Sequence, residues 1–186
     1  MKYLKKYLLF KEEAEFDPQV TDAPDLRMSK EKLNSLLKQI SQFKEKKPLI
    51  DQAYLKIEDD KALNNKVKEI MGPEVSSRED RNPFLVEYLN VSDLKRRLDK
   101  VQKENTDDKL KLDDFKNELK SATDSKQKAT VSQKIDEINK RMGLANSTIS
   151  KLKSDIVNAE KVLKDKMAKQ EKDMKEYIKK MKLQKY

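Results

Sequence analysis

Of the 186 residues in the chain, 41% are charged and 35% hydrophobic, the mean hydropathy is -0.99 and the net charge +9. That balance is too polar for one thick core and suits extended helices instead. Histidine, cysteine and tryptophan are absent and Gly72 and Gly143 stand alone, which excludes imidazole proton shuttles, thiol nucleophiles, cysteine-based zinc sites, disulfides and glycine-rich phosphate loops.

Lys, Glu, Leu, Gln and Met dominate, and little is left for hairpins of strands. The expected fold is all-α and extended: short N-terminal helices, then a long antiparallel coiled-coil helical hairpin with a basic C-terminal overhang. Neither an enzyme nor a cofactor is expected from this inventory.

Residues 1–14 are expected to form a helix with Tyr3, Tyr7 and Phe10, flanked by Leu4 and Leu8, on one face. These five residues are read as a docking face for another protein chain. The apolar run Leu8, Leu9, Phe10 is too short for a signal peptide or a transmembrane span. A protein secreted by a recognisable signal peptide is therefore not expected. Residues 15–28, with Pro18 and Pro24, read as a tether.

Residues 29–72 read as short helices. The first starts at Ser29, stapled by Met28 and Leu33, and ends at Pro48. Ile50, Tyr54 and Ile57 mark a second, and Leu63, Val67, Ile70 and Met71 a third or an extension of it, closed by Gly72 and Pro73. Together they offer about a dozen core side chains, near the lower limit for independent stability, so they are expected to lean on a partner. A polar linker follows over 73–82, in which Asn82 caps a helix beginning at Pro83.

Region 83–186 carries the strongest pattern. Leu94, Leu98, Val101, Leu112, Phe115 and Leu119 recur in steps of three and four, with one step of eleven across the middle, and so do Ile135, Ile138, Ile149, Leu152 and Ile156. Between these seams the phase breaks, so one straight helix would place them on opposite faces. A turn near 123–127 lets them meet as antiparallel partners, Leu112 with Ile138 and Leu98 with Leu152. A register slipped by one heptad, turning at Lys128 and Ala129, is the alternative. Midway the seam is polar, with Asn105 facing Ala145 and Asp108 facing Met142.

Residues 1–90 are charge-balanced, and the whole excess lies in 91–186. The last stretch, 161–186, holds ten lysines against four acids. Its stripe of Leu163, Met167, Met174, Ile178 and Met181 is expected to lack an intrachain partner. Lys161, Lys164, Lys169, Lys172, Lys175, Lys179, Lys180 and Lys182 are candidate non-specific phosphate contacts. Acids that interrupt them, and a scarcity of aromatic platforms, favour a solvated charged face. The acidic clusters IEDDK, TDDK and LDDF lack the spacing and glycine of a calcium loop, so no metal is expected.

The segment YLLFKEEAEF resembles the N-terminal segments of small internal or head-associated proteins of tailed bacteriophages. That resemblance covers about ten residues. It implies a place in a virion, with the cytoplasm as the alternative, and a basic-aromatic helix docked on an assembling shell; in some of those families a maturation protease cuts after an apolar-x-Glu triplet, a form that Phe10, Lys11 and Glu12 fit. Leu85-Val86-Glu87 and Ile135-Asp136-Glu137 fit the same form. The expected function is a non-enzymatic structural or assembly protein that bridges or braces components of a larger assembly. Nucleic-acid association through the lysine-rich helix is the alternative. No small-molecule substrate is expected.

Overall fold

The computed structural model describes residues 24–72 and 82–183, with side chains described for 30–72 and 82–180. Among these the chain is all-α, with four helices: α1 Pro24–Lys56, α2 Asp60–Met71, α3 Pro83–Ser121 and α4 Ser125–Leu183. Local chemistry sets their ends. The Asp59 side chain accepts from the Ala62 amide at 2.7 Å and caps α2, while Gly72, at φ 89°, stops it by donating to the Lys68 and Glu69 carbonyls. Asn82 caps α3 by accepting from the Phe84 and Leu85 amides at 3.0 and 3.2 Å, with Pro83 in the first turn, where its missing N–H costs nothing.

α3 and α4 form the long antiparallel hairpin. Ala122, Thr123 and Asp124 join them, so the turn is shorter than the expected 123–127, and Ser125 to Gln127 already belong to α4. Its register is read from polar contacts across the pair: Asn105 Nδ2 donates to Asn146 Oδ1 at 3.1 Å and Arg141 donates to Asp108 at 2.8 Å. Each partner lies one residue from the expected pairing of Asn105 with Ala145 and Asp108 with Met142. A heptad slip would have set Asn105 against Leu152.

α1 departs from expectation in three ways. It starts at Pro24, so residues 24–28 are helical and Ser29 is not its N-terminus; it continues through Pro48 to Lys56; and it thereby joins the first two expected helices into one, so that with α2 it makes two helices of 29–72. A proline inside a helix removes one hydrogen bond and costs about 3 kcal/mol. Phe43 before it, and Ile50 and Ala53 after it, are all buried. Fully burying one such large side chain is worth about 1.5–3 kcal/mol, enough for two together to offset the break.

The buried apolar cluster joins Phe43 and Ile50 of α1 to Phe84 and Leu85 of α3, with Ile70 and Met71 of α2 and Leu163 of α4 packed against it. Phe43 meets Phe84 and Tyr88 edge-on, with ring centres 6.0 and 5.6 Å apart. α1 and α3 run in the same direction, since Phe43 lies by Phe84, Tyr54 bonds Asp93, and the Ile57 carbonyl accepts from Arg96. α4 runs opposite to both: Lys166 pairs with Glu87, Gln170 with Gln39 at 3.3 Å, and Asp173 with Lys32 at 4.0 Å. The partner that the short helices lean on is thus the hairpin itself. α4 does extend beyond α3, but its stripe there is not left without an intrachain neighbour, because α1 lies along it.

Two regions result. A base comprises α1, α2, the first part of α3 and the last part of α4. Beyond Arg96, the last α3 residue bonded to α1 or its following loop, α3 and α4 project as a two-helix arm. From residue 97 to Ser121 the arm is about 37 Å long at 1.5 Å per residue.

Candidate interaction surfaces

Three surfaces carry the polar chemistry of the described residues. The first is the seam between α1 and α3. Tyr54 donates to Asp93 and Tyr88 donates to Asp51, whose other oxygen accepts from Lys47 at 2.7 Å. The Lys47 ammonium also lies 4.9 Å from the Tyr88 ring centre. Burial alone would raise the Asp51 carboxyl, yet the hydrogen bonds from Lys47 and Tyr88 prevail and hold it below the usual carboxylate range. The bond to Asp51 raises Lys47. Burial, reinforced by the bonds to Asp93 and Asp51, raises both Tyr54 and Tyr88.

At the end of that seam Arg96 clasps the turn between α1 and α2. Its guanidinium donates to the carbonyls of Ile57, at 2.7 Å, and Glu58, and pairs with Asp60 at 2.9 Å. Planar, multi-donor geometry lets one arginine satisfy carbonyls that the end of α1 leaves unbonded. Sequence reasoning missed this role and the second buried face of α3. The apolar run Phe84-Leu85-Val86 was the available signal, because consecutive apolar residues cannot share one face of a helix.

The second surface is the middle of the arm. Asn105 is 7% exposed, and its Oδ1 has no hydrogen-bond partner although its Nδ2 reaches Asn146. Beside it runs an open groove of about 470 Å³ lined by both helices, including Glu104, Asp107, Asp108, Arg141 and Leu144. Leu110 and Leu144 are 62% and 70% exposed. Of the seam residues named from the sequence, Leu112, Ile138, Leu152 and Ile156 are buried; Leu94, Leu98, Val101, Phe115, Leu119, Ile135 and Ile149 are partly buried. Lys134 lies 5.0 Å from the Phe115 ring centre and shields part of it.

The third surface is the outward side of α4. Lys161, Lys164, Lys172, Lys175 and Lys179 recur at helical spacing on one face, and all are exposed, as are Lys169 and Lys180. Two of them have acidic partners on the same helix: Lys172 with Glu176 at 3.8 Å and Lys175 with Glu171 at 2.8 Å. The Lys182 side chain and the docking face of Tyr3, Leu4, Tyr7, Leu8 and Phe10 lie outside the described residues.

Among the described residues no group of three or more Asp or Glu side chains is placed to hold a metal ion, and no helix is long and apolar enough to cross a membrane. No protein-family model, curated protein or solved structure matches the chain.

Proposed function

We propose that the protein is a structural or assembly component that braces or bridges parts of a larger assembly, without catalysing a reaction. The observation that carries this reading is the two-helix arm projecting from a base that is fastened on two sides of α3. The contacts of the base with α3 set the direction of the arm, and the arm presents Leu110, Leu144 and a polar groove to its surroundings. A tailed-phage virion is the particular assembly suggested by the resemblance of YLLFKEEAEF.

The test is to isolate the native assembly that contains the full chain and to compare it with one expressing Leu110→Asp together with Leu144→Asp. Loss of the protein from the assembly, with helicity unchanged, is the expected result. Normal incorporation would remove the arm from the proposal.

A second reading, association with nucleic acid, is favoured by the outward lysine face of α4. Charge contacts of that kind weaken steeply with salt. A gel shift that fails with both DNA and RNA at low salt would eliminate it; the ion pairs of Lys172 and Lys175 already lower the charge available there.

A further inference from the structure

Asn82 sets the level at which α3 begins, because its Nδ2 donates to the Gln39 carbonyl at 2.7 Å. From that level α1 reaches back to Pro24, and α4, whose Gln170 lies against Gln39, runs on to Leu183. The two helices therefore continue side by side beyond the end of α3, joined at Lys32 and Asp173. Inside the base, Phe84, Leu85 and Tyr88 of α3 pack against α1 in the angle between it and α4. Beyond Asn82 no described helix takes that position. Leu33 of α1 is buried there, and Leu36 and Leu37 of α1 and Met174, Tyr177 and Ile178 of α4 are half-buried.

We infer that residues 1–14 of this same chain dock in the groove between α1 and α4 beyond Asn82, with the face of Tyr3, Tyr7 and Phe10 occupying the place that α3 holds higher up.

Length is the first argument. Residues 171–183 of α4 measure about 20 Å, and residues 1–14, expected to be helical from their apolar spacing, would measure about 21 Å. Reach is the second. Residues 15–23 span up to about 30 Å when extended, whereas Pro24 to Gln39 covers about 23 Å of α1, so the tether returns the segment to any level of the groove.

Area decides against a second copy as the occupant. Two helices about 10 Å wide and about 20 Å long offer roughly 400 Å² per protomer, half of the roughly 800 Å² per partner that stable interfaces bury. A covalently tethered segment needs no such area, because its effective concentration at the groove is high. The chemistry also matches: Tyr3, Tyr7 and Phe10 would meet Met174, whose thioether packs well on aromatic rings. Docking is thereby assigned to the protein's own groove, independently of whether the arm braces an assembly.

The chain has no natural cysteine, so engineered pairs report cleanly. In the full-length protein, Tyr7→Cys is combined in turn with Met174→Cys, with Ile178→Cys and, as a control, with Lys172→Cys on the outward face. Under dilute oxidising conditions at least one of the first two pairs should close within one chain, several-fold faster than the control. Equal rates for all three, or no closure, would overturn the inference; disulfide-linked dimers from the groove pairs alone would assign the groove to a second copy. Hydrogen exchange keeps the test independent of disulfide geometry. Tyr7→Ala with Phe10→Ala should speed exchange tenfold or more in residues 30–38 and 171–180 and leave the arm unchanged. Unchanged exchange in those two stretches would also overturn it.

Discussion

The base and the arm are built from the same two helices, yet they are stabilised differently. In the base α3 is buried on two faces: Val91 lies on the stripe that continues as the hairpin seam, while Phe84, Leu85, Tyr88 and Arg96 meet α1 and its following loop. Among the described residues each helix of the arm has one neighbour and one seam, interrupted by Asn105. A helix with a single partner draws its stability from a narrow stripe, so the arm should open locally at lower cost than the base. The difference shows how one pair of helices serves as anchor at one end and as a probe at the other.

The largest expected effect tests the anchor. Phe84→Ala removes a side chain 2% exposed at the centre of the α1–α3 cluster and should destabilise the base by about 3–5 kcal/mol. Thermal melting should then resolve two transitions, the earlier one belonging to the base. A single transition shifted as a whole would show that arm and base unfold as one unit, and the contrast between them would fail.

Next in size is the clasp. Arg96→Met keeps the stem but removes every donor to Ile57, Glu58 and Asp60, and an expected loss of about 2 kcal/mol follows from giving up charge-assisted bonds to carbonyls. Hydrogen exchange should rise in residues 57–63 and α2. Exchange in α3 beyond residue 100 should not change, since the clasp ends where the arm begins.

The third prediction reverses sign. Asn105→Leu replaces a buried amide whose Oδ1 has no partner, next to a groove that admits the larger side chain, and should stabilise the arm by about 1 kcal/mol. The gain has a consequence for pairing. In the slipped register position 105 would face Leu152, which disfavours asparagine but welcomes leucine, so the variant loses a device that selects one register. Cysteines at Leu112 and Ile138 should link within one chain in the parent and close more slowly in the variant. Equal closure would mean that the turn and the base contacts fix the register alone.

How much of this was legible in the sequence follows from where the signal resides. The arm was legible because heptad spacing is local: Leu112, Ile138, Leu152 and Ile156 declare a stripe whatever surrounds them, and Asn82-Pro83 declares a helix start. The base was less so. Pro48 was read as a stop since its cost is local, while the burial of Phe43 and Ile50 that offsets it depends on α3, more than thirty residues away. The placing of α1 along α4 was hidden for the same reason: Met174 and Ile178 form a stripe in sequence, and nothing local names Lys32 and Gln39 of α1 as neighbours of Asp173 and Gln170. Arg96 lies among charged residues, and only the fold brings two carbonyls within its reach.

Alkaline titration gives the finest comparison, because the seam between α1 and α3 contains tyrosines and the arm, residues 97–150, contains none. Tyr54 and Tyr88 are raised in the folded state by burial and by bonds to Asp93 and Asp51, so the fold holds their protons more tightly than the unfolded chain does. Stability from such groups is fully present below the unfolded tyrosine value of about 10 and is lost as pH rises through the folded values. Lys47, also raised, acts in the same direction. Asp51 is lowered, so its share is present above the unfolded carboxylate value of about 4 and is lost only as pH falls through the folded one. Between about pH 9 and 12 the base should therefore weaken while exchange protection in the arm, corrected for intrinsic rates, stays level. Tyr54→Phe with Tyr88→Phe should flatten that limb and cost about 1–2 kcal/mol at neutral pH, the worth of two partly exposed hydrogen bonds. An arm that weakens in parallel with the base over this range would show that the seam supports the whole hairpin and not its anchored end alone.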